Sequence, residues 1–255
     1  METTRAFVRP PSPRLAEGLL THLDRQPVDV DRARGQWRAY VDALAAAGWQ
    51  VTEVEPAPDC PDSVFIEDTV VLFGDAAVIT RPGASQRRPE TTAVARTLHD
   101  AGLRVLRIEA PGTLDGGDVM KVGTQVHVGI GGRTNAEGAA QLAAHVEPLG
   151  ATVTTVPVTK VLHLKSAVTA LPDGTVIGFE PLVDDPGAFP TFLAVPEESG
   201  AHVVVLDDTT VLMAADAPET AAMLRARGLD VVTVDIGEFI KLEGCVTCLS
   251  VRQRP

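Results

Sequence analysis

A helical stretch, a glycine and a strand recur in that order five times along this chain, and no other feature narrows its possible folds as much. Residues 31–47 carry Trp37, Tyr40, Val41 and Leu44 at three- and four-residue spacings, the period of an amphipathic helix. Gly48 stops that helix and 49–54 reads as a strand. The pattern returns at 91–100, Gly102 and 103–108, and again at 135–148, Gly150 and 151–156. A fainter copy spans 186–198, Gly200 and 202–206, and a fifth spans 218–227, Gly228 and 229–234. Hairpin-like pairs lie between the copies, turning at Gly74-Asp75, at Gly123-Thr124, at Pro172-Asp173-Gly174 and, in a shorter form, at Asp207-Asp208. The unit is therefore strand, connection, hairpin, helix, of about 50 residues in its complete form. The last unit runs from Leu229 through Cys248 to the C-terminus, and the strand at 5–9 is expected to complete it by pairing.

Strands alternating with helices usually make a doubly wound parallel sheet. Here hairpins intervene, and no glycine-rich loop joins the first strand to its helix. A closed ring of five small ββαβ-type modules fits better, an α/β class with pseudo-symmetry. Its connections would converge on one axis. A chain of 255 residues can bury a sizeable core, either as one large domain over 1–255 or as two small ones. The formal net charge of −12 argues against a nucleic-acid or anionic-membrane partner and leaves a cationic small molecule as a plausible ligand. Residues 1–5 lack a basic, apolar leader, and no apolar run approaches the roughly 20 residues that cross a bilayer. With only three cysteines, the expectation is a cytoplasmic protein without disulfides.

The polar clusters fall on the connections. They are Asp62-Ser63-Val64-Phe65-Ile66-Glu67-Asp68, Leu114-Asp115-Gly116-Gly117-Asp118, Leu162-His163-Leu164-Lys165-Ser166 and Glu243-Gly244-Cys245-Val246-Thr247-Cys248. A ring would gather a thiol, an imidazole and several carboxylates in one pocket. Each has a plainer reading too. Carboxylates at strand ends are usually solvated, a single histidine is usually structural, and a buried cysteine is usually a small core residue. Gly116-Gly117 alone reads as a tight turn and lacks the spacing of a phosphate loop. Cys245 and Cys248 could be half a zinc site or a redox pair. Zinc lacks two further ligands in a compatible knuckle, and a redox pair should open a helix, whereas 246–251 reads as strand.

Taken together and in order, these segments, with Thr80-Arg81-Pro82-Gly83-Ala84, Arg87-Arg88 and Gly132-Arg133-Thr134-Asn135, resemble the dimethylarginine dimethylaminohydrolases of the guanidino-group-modifying (pentein) superfamily. The likeness runs from Val8 to Val251. It implies a five-bladed α/β-propeller that hydrolyses Nω-methylated arginines to citrulline and a methylamine. It further implies Cys248 as nucleophile, His163 as general acid and base, and Asp115 as the carboxylate orienting His163. Glu67 and Asp68 would bind the guanidinium, and Asp62 would fix the amino-acid end or the network beside it. Arg87 and Arg133 would hold the α-carboxylate, Leu20 would belong to a lid, and Leu242 would pack near the substrate. Cys245 has no place in that motif. No metal or organic cofactor is expected, and the protein would be a monomer or homodimer. The alternatives are a related enzyme such as an arginine deiminase, or a silent propeller that only binds arginine-like ligands.

Overall fold

Both ends of the chain meet in one sheet, which closes the molecule into a ring. In the computed structural model residues 4–254 are described, so most of the leader reading, at Met1–Thr3, lies outside the described residues. Strand β1 (Arg5–Val8) leads through helix α1 (Val30–Ala46) to β2 (Gln50–Glu53). The next module is β3 (Val70–Phe73), β4 (Ala76–Ile79), α2 (Thr91–Asp100) and β5 (Arg104–Arg107). It is followed by β6 (Val119–Val122), β7 (Gln125–Ile130), α3 (Ala136–Val146) and β8 (Thr152–Pro157). Then come β9 (Val168–Ala170), β10 (Val176–Gly178) and β11 (Phe192–Ala194), and after them β12 (Val203–Val205), β13 (Thr210–Ala214), α4 (Pro218–Ala226) and β14 (Asp230–Val234). A short α5 (Gly237–Ile240) precedes β15 (Val251–Gln253).

The strands form five three-stranded sheets. In each, an antiparallel pair is followed by a crossover to a third strand lying parallel to the second. The closing sheet has the same pattern, with β15 antiparallel to β1 and Phe7 opposite Val251, and β1 parallel to β2. This is the five-bladed ββαβ ring that the sequence predicts. Helices cover the sheets through one apolar face. In α3 that face is Ala139, Leu142 and Val146, packed with Val78 and Val126. Burying one such aliphatic side chain stabilises by about 1.5–3 kcal/mol. Two buried hydrogen bonds fasten α1 and the strand start after its glycine stop: the Tyr40 hydroxyl lies 2.6 Å from Ser250 Oγ, at the entry to β15 of the same blade, and Trp49 Nε1 donates to the Leu206 carbonyl of the neighbouring blade at 3.1 Å. Among the described residues no helix is long and apolar enough to cross a membrane.

The fold departs from the sequence reading in two places. The fourth helix is absent. Residues 180–188 make two 3-10 turns, and the outer strand of that blade is β11, upstream of Gly200. Pro181, Pro186, Pro190 and Pro196 remove the donors a helix would need. Gly48 and Gly102 take the left-handed φ of a helix stop at +83° and +85°, but Gly200 has no positive φ. Its role is close packing, since a Cβ there would lie 2.1 Å from Thr220 Oγ1. The strand after it, β12, opens the next blade's hairpin. The second departure is at 246–251, where Val246–Leu249 forms a 3-10 turn and only Val251 onward is strand.

Two glycine substitutions separate ring packing from helix propensity. A Cβ on Gly116 would stand 2.0 Å from the Glu67 carbonyl of the neighbouring blade, whereas one on Gly35 meets nothing within 4 Å. Gly116→Ala should therefore destabilise by about 1–3 kcal/mol or more. Gly35→Ala, on the open face of α1, should stabilise by about 0.5–1 kcal/mol. Urea midpoints of the two variants measure both signs.

Candidate active site

Every blade's first strand is entered through one turn of 3-10 helix. These turns are Ile66–Thr69, Gly116–Asp118, Leu164–Ser166, Ser199–Ala201 and Val246–Leu249. The turn at 66–69 packs against those at 116–118 and 246–249, and 116–118 packs against 164–166. Such contact requires bare backbone. A Cβ on Gly117 would fall 2.7 Å from both Asp68 Oδ1 and His163 Nδ1. Gly117 N–H instead donates to Asp68 Oδ1 at 2.9 Å, so the Gly116-Gly117 pair cradles one of the protein's own carboxylates.

One small cavity lies above these turns. Asp62, Asp68, Arg87, Arg133, His163, Leu242 and Cys248 line it, with Leu19 and Glu243 at its cover. It contains about 20 Å³ of space for water, which is room for about one molecule. His163 is buried, and its Nε2–H donates to Asp115 Oδ2 at 3.0 Å. Its Nδ1 lies 3.7 Å from Asp68 Oδ1. Burial alone would lower the His163 pKa. The Asp68 charge and the Asp115 hydrogen bond outweigh it and raise the pKa to about 9. Asp68 shows the reverse balance: burial would raise its pKa, but His163 and Arg87 hold it at about 2. Asp115 is fully buried, also accepts from Gly83 N–H at 2.9 Å, and does not line the cavity. Asp118 stands behind it, accepting from Thr134 Oγ1 and Leu164 N–H, with burial lifting its pKa to about 6.

Cys248 Sγ lies 3.3 Å from Cys245 Sγ, and Cys245 Sγ lies 3.2 Å from Thr247 Oγ1. The thiol pair titrates together. Cys248 is pushed well above the ordinary thiol range, first by its hydrogen bond to Cys245, then by burial, the charge on Cys245 and the carboxylates of Glu67 and Asp68. Cys245 moves the other way, held well below the ordinary thiol range first by its hydrogen bond to Cys248, so any charge in the resting pair sits on Cys245.

Comparisons with known proteins place the fold and the sequence in a family. The sequence model described as arginine deiminase matches residues 41–189. An N(G),N(G)-dimethylarginine dimethylaminohydrolase of Streptomyces coelicolor is 63% identical over 254 residues, covering 100% of this chain and 98% of its own. The enzyme of the same description from Pseudomonas aeruginosa is 38% identical over 96% of this chain and 98% of its own. A solved structure of the Pseudomonas aeruginosa protein, a Cys-to-Ser mutant complexed with citrulline, superposes with a TM-score of 0.91 at 35% identity, over 99% of this chain and 100% of that one.

The chain belongs to the dimethylarginine dimethylaminohydrolase family.

Cys248, His163, Asp68, Asp62, Arg133 and Leu242, each singled out from the sequence, share the cavity, and Asp115 stands directly behind His163. Three other expectations are placed differently. Glu67 does not line the cavity. Its carboxylate turns to the far side of the ring, where Lys165 Nζ lies 2.6 Å and Arg252 Nη2 3.1 Å away. Arg87 lines the cavity, but its guanidinium is already committed to Glu90, Asp68 and the carbonyls of Asp62 and Phe65. Leu20 packs against the core, and its neighbour Leu19 takes the wall position. The sequence reading missed Glu243 as a clasp. This residue has φ +61°, and its carboxylate accepts from the backbone N–H groups of Thr21, His22 and Leu23. Asp62 accepts from Leu19 N–H at 3.1 Å, so the strap 19–23 is held at two points. Backbone capture of this kind leaves no signature in residue spacing.

Asp68, Asp115 and His163 offer donor atoms within 4.8 Å of one another, close enough to share a cation. Arg87 beside Asp68, Arg133 at 3.8 Å from Asp115 and the imidazolium between them already supply that positive charge.

An imidazole titration followed by NMR tests this electrostatic balance. His163 should titrate near 9 rather than near 6.5. Because its folded pKa is raised, its stabilising contribution is complete below about 6.5 and disappears as pH rises through about 9. Asp68→Asn should bring the midpoint down by about 1 unit or more. An unchanged midpoint in that variant would remove Asp68 from the account.

Proposed function

We propose that this chain hydrolyses Nω-methylated L-arginine to L-citrulline and dimethylamine or methylamine through a covalent intermediate on Cys248. The observation that supports it most is a single small cavity in which a thiol, a charged imidazole, the carboxylates of Asp62 and Asp68 and the guanidinium groups of Arg87 and Arg133 meet, with Glu243 at the cover. A guanidinium carbon is a weak electrophile because three nitrogens share its positive charge. A carboxylate that holds the cation keeps it protonated and in place. Asp68 has that role here. Glu67 is paired with Lys165 and Arg252 instead. Arg133, with its donors less fully committed than those of Arg87, receives the α-carboxylate, while Asp62 faces the ammonium end. Leu19 and Leu242 supply apolar walls.

The thiol is neutral in the free protein; the arriving cation offsets the carboxylates that suppress its ionisation, and its proton passes to solvent as the substrate binds. The Cys248 thiolate then attacks the guanidinium carbon. His163, a cation at neutral pH, gives its proton to the departing dimethylamine as the carbon–nitrogen bond breaks, leaving a thiouronium on Cys248. The neutral imidazole next takes a proton from water. The hydroxide adds to the same carbon, the carbon–sulfur bond breaks, and citrulline leaves. Asp115 keeps the ring oriented through both steps. No metal or organic cofactor has a step in this scheme.

The cavity in its closed form is too small for an amino acid, so substrate entry requires the strap 19–23 to move. The reading extends to the whole chain: 1–255 acts as one catalytic domain, favoured by the pairing of its two ends. It works on a free amino acid as a monomer or homodimer in the cytoplasm, where three free thiols are at home.

The decisive assay measures citrulline and dimethylamine from asymmetric dimethylarginine, with arginine in parallel. Turnover of the methylated substrate with little or none of arginine is expected. Fast arginine turnover with no methylated product would make the chain a deiminase instead. Cys248→Ser should lower turnover by about 10³-fold or more while binding persists. Asp115→Asn, which loses the charge that orients His163, should lower it by about 10²-fold or more.

A further inference from the structure

The ring has a second mouth. Beneath the turns the five first strands β3, β6, β9, β12 and β15 surround a channel along the axis. It continues to the ends of those strands, where Lys121, Ala170, Val205 and Arg254 line both its inner and outer parts. The inner part has about 150 Å³ and the outer part about 540 Å³ of space for water, against about 20 Å³ in the thiol cavity.

Its charge is opposite to that of the protein as a whole. Lys121, Lys165, Arg252 and Arg254 line it, and the buried Glu67 carboxylate is the acidic group at its inner end. Asp207 and Asp208 stand at the outer rim, and Asp207 is occupied by Thr209 N–H and hydroxyl. Strand alternation explains part of this: Ser250, Arg252 and Arg254 are spaced by two and all reach the channel. Arg252 is committed to Glu67, Ser250 and the Thr247 carbonyl, but the other three cations have donors to spare. Lys165 Nζ meets Glu67 Oε1, and Lys121 Nζ donates to the Leu72 carbonyl, yet an ammonium has three N–H groups. The Arg254 guanidinium lies over the Trp49 ring and reaches the Val205 carbonyl with one nitrogen, leaving the rest of its fork open. Burial, and after it the charges of Lys165, Arg252 and Arg254, disfavour the Lys121 ammonium. The Lys121 side chain is exposed to the channel, where those neighbouring cations face it. Like charges gathered in a walled channel form a site for an anion, which would replace repulsion with charge-assisted hydrogen bonds.

We infer that this second mouth is a binding site for a small phosphate-type dianion, held between Lys121 and Arg254, with Lys165 and Arg252 behind it. Nothing in the hydrolytic reaction uses these residues, so the site is separate from substrate binding. The Glu67 salt bridges lie between the two.

The test is calorimetric titration of the full chain with inorganic phosphate at constant ionic strength. Saturable binding of one phosphate per chain is expected, with a dissociation constant below about 1 mM. Lys121→Gln and Arg254→Gln should each weaken it about threefold to tenfold or more, and saturating citrulline should leave it unchanged. Arg254 is an exposed residue near the chain end, so its variant reports on binding even if Lys121→Gln folds poorly. Absence of saturation, equal affinity in the Arg254 variant, or displacement by citrulline would each overturn the inference.

Discussion

Asp68 is the group on which the rest of the site depends. Its carboxylate is reached by Gly117 N–H from one connection, by Arg87 after the next hairpin and by the His163 imidazole from a third blade. A buried carboxylate so placed stays ionised only because each of these partners is present. Removing one partner of such a buried pair strands a charge and costs about 3–5 kcal/mol. The ring therefore has to close accurately for the charge to be tolerated. Once it has closed, the same charge keeps His163 protonated.

The remaining chemistry follows from that balance. An imidazole that stays charged at neutral pH is a ready proton donor to a leaving amine. A thiol facing the same carboxylates stays protonated until a cation enters. Under the proposed function, the arrangement couples activation of the Cys248 nucleophile to substrate charge, and a thiol kept protonated is shielded from oxidation. Arg87 serves this network by pairing with Asp68 and Glu90, and under the proposed function the substrate carboxylate falls to Arg133.

Much of this was legible in the sequence, for identifiable reasons. Repeats that end on left-handed glycines, as at Gly48 and Gly102, announce helix ends, and their spacing announces a ring. The fourth repeat misled because Gly200 is small for packing rather than for φ, and the prolines around it offer no period to read. Cys248 reads as strand because Val246, Leu249 and Val251 are apolar, yet a 3-10 turn buries Val246 and Leu249 just as well before the strand begins at Val251. Glu67 and Asp68 are adjacent, so their side chains leave the turn in different directions. One enters the thiol cavity and the other enters the axial channel, and sequence alone gives no way to say which. Glu243 could not be found at all, since what it binds is backbone.

The most direct test of the account is an intact-protein and peptide mass measurement on excess enzyme mixed with asymmetric dimethylarginine and quenched in acid within the first turnover. The account predicts a transient adduct with the mass of the thiouronium, confined to the peptide that carries Cys248 and absent from Cys248→Ser. Citrulline forming with no adduct at any time, or with the adduct on Cys245 instead, would contradict it.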